Sequence, residues 1–255
     1  MFPHYVHLAI VFLVWFYVIL LVIAPIFLRI RFRYHAKIDP RVVALEELPE
    51  PARSYIEPRV TELIPWNFDL VSYVNLSAHS PSLGASLALL SNRHTAEWAD
   101  VTFLPSGPKR NGYVEFTTRC SDQMQIDTNS SAAASVLFPV PQHRVFRFPQ
   151  VRDVFTLYRL HRMLAMEITH GALPVIPPQG QEIAELQRRL NRYGGWQQER
   201  GYMVLDGGGE QYRLTWKGAI LGAWRSIWPW SALDRWRQRA RSRAALNRLG
   251  KATGG

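Results

Sequence analysis

The sequence predicts an α+β protein behind one N-terminal transmembrane helix. Three patterns carry that expectation: an uncharged opening stretch, a middle portion of short β-branched and aromatic runs, and a stretch of helical period after them. Residues 5–28 contain no Lys, Arg, Asp or Glu. As a helix rising ~1.5 Å per residue they would reach about 36 Å, more than the hydrocarbon core of a bilayer. Pro25 stands near the far end, where few backbone bonds remain to be lost. No Lys or Arg precedes the stretch, so the basic start of a cleaved signal peptide is missing. Arg29, Arg31, Arg33 and Lys37 follow at once, then Arg41, against His4 and His7 on the other side. The positive-inside tendency then predicts a single-pass protein of the inner (plasma) membrane, with its N-terminus outside and its C-terminal bulk cytoplasmic.

Residues 29–65 read as a juxtamembrane connector, because Pro40, Pro49, Pro51, Pro58 and Pro65 recur too often for a long helix. Over residues 66–170 the pattern favours an antiparallel sheet, with strands expected at 70–76, 98–104, 113–118 and 145–148, while 83–90 fits a helix or a strand. Ser106-Gly107-Pro108 and Asn111-Gly112 bracket a hairpin connection. The period then changes: Val154, Leu157, Leu160, Leu164 and Ile168 recur every three or four residues, which predicts a helix covering one sheet face. A linker is expected at 171–180, with Pro174, Pro177 and Pro178. In the next module, 181–224, a helix at 181–193 turns Ile183, Leu186 and Leu190 inward. Strands at 202–205 and 211–215 follow, joined by Asp206-Gly-Gly-Gly-Glu210.

Composition narrows the function classes. With 255 residues, 47% hydrophobic and 20% charged, the chain is globular rather than disordered. A net charge of +10 asks for an acidic partner, anionic lipid or nucleic acid. Cys120 is the single cysteine, so no intrachain disulfide can form.

Helix, glycine-tipped hairpin and then Tyr212-Arg-Leu-Thr-Trp-Lys-Gly218 resemble the wing region of winged-helix domains, over residues 182–224. The resemblance implies DNA binding as one function. The chain departs from that pattern in having one clear helix before the wing, with Gly194-Gly195 where a recognition helix would run. Over much of its length the chain also resembles single-pass bacterial membrane proteins that have no assigned activity, through Tyr113-Val-Glu-Phe-Thr-Thr118 and Leu157-Tyr-Arg-Leu-His161. That resemblance implies no catalytic residues.

Catalytic and metal chemistry have little support in the residues. Glu167 and His170 share a helix face, but His161 lies on the opposite side, and neither His-Glu-x-x-His nor a cysteine pair occurs. Ser82, Ser86, Cys120, Asp127 and His143 show no recognised spacing, and no Gly-x-Ser-x-Gly is present. Arg119 beside Cys120 would lower the thiol pKa. The Gly207–Gly209 run has no Gly-Lys-Ser/Thr after it, so no phosphate loop is read there. No catalytic residue, metal or cofactor is expected.

The tail, 225–255, carries the strongest signal after the opening helix. Five of the nine tryptophans, Trp216, Trp224, Trp228, Trp230 and Trp236, crowd there or just before it, followed by Arg235, Arg237, Arg239, Arg241 and Arg243. Trp settles at headgroup level and Arg is drawn to anionic lipid. Ser231 and Asp234 suggest a helix start, after which Leu233, Trp236, Ala240 and Ala244 align on one face. The function expected is a membrane-tethered cytoplasmic binding or scaffold protein. Its membrane-interface residues are Trp224, Trp228, Trp230, Trp236 and those five arginines, with Arg29, Arg31, Arg33 and Lys37 at the juxtamembrane end. The partner expected is a bilayer of anionic lipid; the alternative is a membrane-anchored winged-helix DNA-binding regulator.

Overall fold

In the computed structural model, residues 2–76, 84–105, 111–131, 138–169, 171–227 and 229–253 are described. The chain is α+β and divides into two compact units, each built from separate stretches of sequence. One comprises residues 38–190 and 238–255, the other residues 1–37 and 191–237.

The larger unit is built on a seven-stranded sheet in sequential order: β2 (Arg41–Val43), β3 (Asp69–Asn75), β4 (Ser86–Asn92), β5 (Glu97–Leu104), β6 (Asn111–Arg119), β7 (Gln125–Asn129) and β8 (His143–Arg147), the strand before them, β1 (Arg33–His35), belonging to the smaller unit. All neighbours are antiparallel except β7 and β8. In the stretch that fits either element by pattern, residues 86–90 belong to β4, where every position from Ser86 to Asn92 is buried, as in a central strand. The alternation of side chains separates two faces. Ala88, Leu90, Ala99, Val101, Phe103, Val114 and Phe116 form one core with α2 (Glu50–Leu63) and α3 (Val154–Thr169). On the opposite face Leu87, Leu89 and Trp98 pack with Leu186 of α4 (Glu182–Glu199). A bulge between Leu70 and Ser72 lets Val71 and Val74, three positions apart, join that second cluster.

Helix α2 forms where the prolines argue for irregular chain. Pro51 occupies the first helical turn, where a missing N–H costs nothing, and Pro58 lies inside. The interior proline costs about 3 kcal/mol. Burial of Ala52, Ile56, Val60 and Leu63 at helical spacing offsets it, at ~1.5–3 kcal/mol for each large side chain.

In the smaller unit, a three-stranded antiparallel sheet runs β1 (Arg33–His35), β10 (Gln211–Leu214), β9 (Met203–Leu205). Helix α1 (Phe2–Arg31) leads directly into β1 and packs against α5 (Trp216–Ser226). Strand β1 was hidden by its length and by its partner lying far along the chain.

The expectation of a transmembrane helix at residues 1–28, with the single-pass inner-membrane location and topology that depended on it, is corrected here. Among the described residues no helix is long and apolar enough to cross a membrane. Helix α1 carries Pro25 inside it and ends on Arg29 and Arg31 in its last turn. The basic end of α1 is tied into protein: Arg29 Nη1 donates to the Leu214 carbonyl at 2.8 Å.

Helix α6 (Trp230–Thr253) also differs from its expected face. Trp236, Ala240 and Ala244 are exposed, whereas Ser242 and Ala245 are buried, with Leu246 and Leu249 packed on the α2/α3 core. Ser242 Oγ donates to the Arg147 carbonyl at 2.7 Å.

Candidate functional site

In the smaller unit, strand pairing sets the chemistry of each sheet face. Arg33 opposes Arg213, and Arg213 opposes Val204; the next positions, Tyr34, Tyr212 and Leu205, point the other way. The Tyr34 and Tyr212 rings lie 6.4 Å apart on the inner side, where burial pushes the Tyr34 hydroxyl up to about 12. Arg213 and Val204 are exposed. Arg33 and Arg213 are therefore cross-strand neighbours on the outer face. Like charges directly opposite destabilise a strand pair.

The end of α1 adds a third. Arg29 lies with its Cζ 4.7 Å from the centroid of the Trp216 ring, a cation–π distance. Ile26, Arg29, Ile30, Arg33, Arg213 and Trp216 line a cleft of about 350 Å³. Arg33 Nη1 donates to the Arg29 and Phe32 carbonyls, at 3.1 and 2.9 Å. Among the described residues, none of the three arginines forms a salt bridge.

Helix α5 continues the surface. Thr215 caps it by accepting from the Gly218 N–H, and Gly218, Ala219 and Ala223 are its buried side. Trp216, Ile220, Leu221 and Trp224 stay exposed. Trp224 and Trp230 stack with ring centroids 5.3 Å apart, and Trp236 is 65% exposed. Trp228 lies outside the described residues. Of the other sequence-expected interface residues, Arg235 and Arg237 are exposed in this unit, as are Arg239, Arg241 and Arg243 on the part of α6 that belongs to the larger unit. Arg31 lies over the Phe27 ring, and Lys37 is exposed.

The larger unit holds a buried polar network on the α4 face of its sheet. Asp100, Glu115 and Asn129 are register neighbours, as are Thr117 and Asp127. Asp127 accepts from Thr117 Oγ1 at 2.9 Å and from Gln125 Nε2 at 3.0 Å, and it pairs with His143. Burial alone would raise the Asp127 carboxyl, but His143 holds it below its ordinary value; in turn Asp127 lifts His143 against the opposing effect of burial. Arg189 reaches in from α4 to Asp100 and to Thr117 Oγ1. Burial, then the charges of Asp127 and Asp100, push the Glu115 carboxyl up to about 7. Arg119–Glu185 and Arg93–Glu182 pin the same helix. The polar face has a sequence signal, since Asp100, Glu115 with Thr117, and Gln125 with Asp127 and Asn129 recur at period two. The partner Arg189 has none.

This network does not assemble a nucleophilic site. Cys120 is buried, and its thiol is raised by burial and by Asp122, opposite to the expected effect of Arg119, which is engaged with Glu185. His161 lies on the other sheet face, between Thr118 Oγ1 at 2.9 Å and Thr128 Oγ1 at 3.1 Å. Glu167 pairs with Arg248 at the surface. Ser82, His170 and the turn residues Ser106, Gly107 and Pro108 lie outside the described residues. Among the described residues no group of three His, Cys, Asp or Glu could hold a metal ion.

Comparison with protein-family models, with curated proteins and with solved structures gives no match for this chain.

Proposed function

We infer that the chain is a binding protein that docks from one side on an anionic lipid surface, through the Trp- and Arg-bearing face of its smaller unit. The observation that carries this reading is the exposure of Trp216, Trp224, Trp230 and Trp236, at 53, 46, 40 and 65%, beside Arg29, Arg33 and Arg213, which have no carboxylate partner among the described residues. Four large rings left in water are costly, since each buries on the order of 150–250 Å² when covered. A lipid interface takes the ring body at headgroup level, and each arginine near an anionic leaflet contributes about 1 kcal/mol before screening. Docking of this kind needs no segment to cross the bilayer.

The test is co-sedimentation of the full chain with vesicles of phosphatidylcholine alone and of phosphatidylcholine with phosphatidylglycerol. Association only with the anionic vesicles, weakening as salt rises, is the expected result. Indifference to both compositions, together with duplex DNA binding of steep salt dependence, would instead select the DNA-binding alternative.

A further inference from the structure

We propose that the cleft between the end of α1 and the β1–β10 pair is a site for one phosphate group carried on an apolar body, the headgroup of a single anionic lipid. The proposal rests on the docking reading above and goes further, because it gives the surface a saturable site.

An electrostatic cost is built into this strand pair. Cross-strand register sets Arg33 and Arg213 directly opposite each other, and Arg29 joins them from one helical turn earlier. Opposed like charges destabilise a strand pair, and proteins commonly relieve them with a carboxylate. Among the described residues no carboxylate bonds to any of the three, and the Glu210 backbone carbonyl accepts from the Ala36 N–H at this edge. An anion from outside would supply the missing charge. Guanidinium forks match phosphate oxygens two at a time, so three arginines lining one cleft suit a phosphate with several free oxygens.

The remaining walls choose the body that carries the phosphate. Ile26, Ile30 and the Trp216 ring are apolar, and Ile30 is 62% exposed. A volume of about 350 Å³ lies at the lower end of small-ligand sites. It holds a phosphorylated glycerol with the first carbons of its chains, while the tails continue along exposed α1 side chains such as Val22, Ile23 and Phe27. A nucleic-acid phosphate would leave these apolar walls against sugar and water. Trp216 is placed to report occupancy, since its ring already carries Arg29.

The experiment uses the full chain and a water-soluble short-chain phosphatidic acid, read by Trp fluorescence and calorimetry, with inorganic phosphate as a second probe. One-to-one binding is expected, with inorganic phosphate at least tenfold weaker. R33Q/R213Q should lose tenfold or more in affinity, and R239Q/R241Q, which removes the same charge from α6, threefold or less. R213E places a carboxylate opposite Arg33; it should abolish binding while raising the melting temperature, so loss of binding is not loss of fold. Equal affinity for inorganic phosphate, or equal losses in the two double variants, would overturn the site. Vesicle association that survives with no one-to-one binding would sink the cleft and leave surface docking standing; one-to-one binding without vesicle association would do the reverse.

Discussion

Single residues show where the fold tolerates no change. Gly218 sits at the start of α5, and a Cβ there would come within 2.1 Å of the Tyr202 carbonyl oxygen. Backbone cannot step aside as a side chain can, so G218A should destabilise the chain by several kcal/mol in denaturant titration, although alanine favours helix. His161, fully buried between two threonines, makes a pH-dependent contribution. Burial holds its imidazole down to about 4, against 6.5 when unfolded. Between these values the unfolded chain binds the additional proton, so the contribution is complete above about pH 6.5 and is lost as pH falls towards 4, on the order of 3 kcal/mol. H161Q should narrow its stability deficit relative to wild type when unfolding is followed from pH 7 down to 4. Glu115 acts in the opposite direction. Its folded carboxyl keeps a proton up to about pH 7, so it costs stability as pH rises from about 4.5 through 7. E115Q should therefore gain on wild type between pH 5 and 8, and a flat difference across that range would show that Glu115 is ionised throughout.

At the scale of elements, α4 is bonded to the sheet by charge as much as by packing. Leu186 fills the apolar part of its contact, and Arg189, Glu185 and Glu182 make the ionic part. Removing one member of a buried pair costs about 3–5 kcal/mol because the other charge is stranded, whereas removing both costs far less. R189M should thus be strongly destabilising, and R189M/D100N should recover most of the loss. Urea melts of the two variants that coincide would show that Asp100 is neutral without Arg189. Helix α6 illustrates how pattern misleads. Its arginines at every second position leave several weak apolar stripes, and the one that packs, through Ser242 and Ala245, contains a serine because Arg147 offers it a carbonyl. The expected stripe through Trp236, Ala240 and Ala244 is exposed instead.

For the whole molecule, binding to anionic vesicles should depend on the smaller unit's rings. W224A/W230A, which removes the stacked pair, should weaken co-sedimentation tenfold or more, while the buried network of the larger unit can be altered without effect on it. Local sequence was enough to establish the α+β class, most strands of the sheet, helices α3 and α4, the glycine-tipped hairpin and the richness of Trp and Arg near the C-terminus. Those features are set by side-chain period and turn chemistry within a few residues. The pairing of β1 with β10, the cleft where Arg33 meets Arg213, the reach of Arg189 to Asp100 and the stripe that α6 buries depend on contacts between residues far apart in the chain. Hydrophobic period says that a side chain will be covered, but not by what, and only long-range packing resolves which distant charges end up face to face.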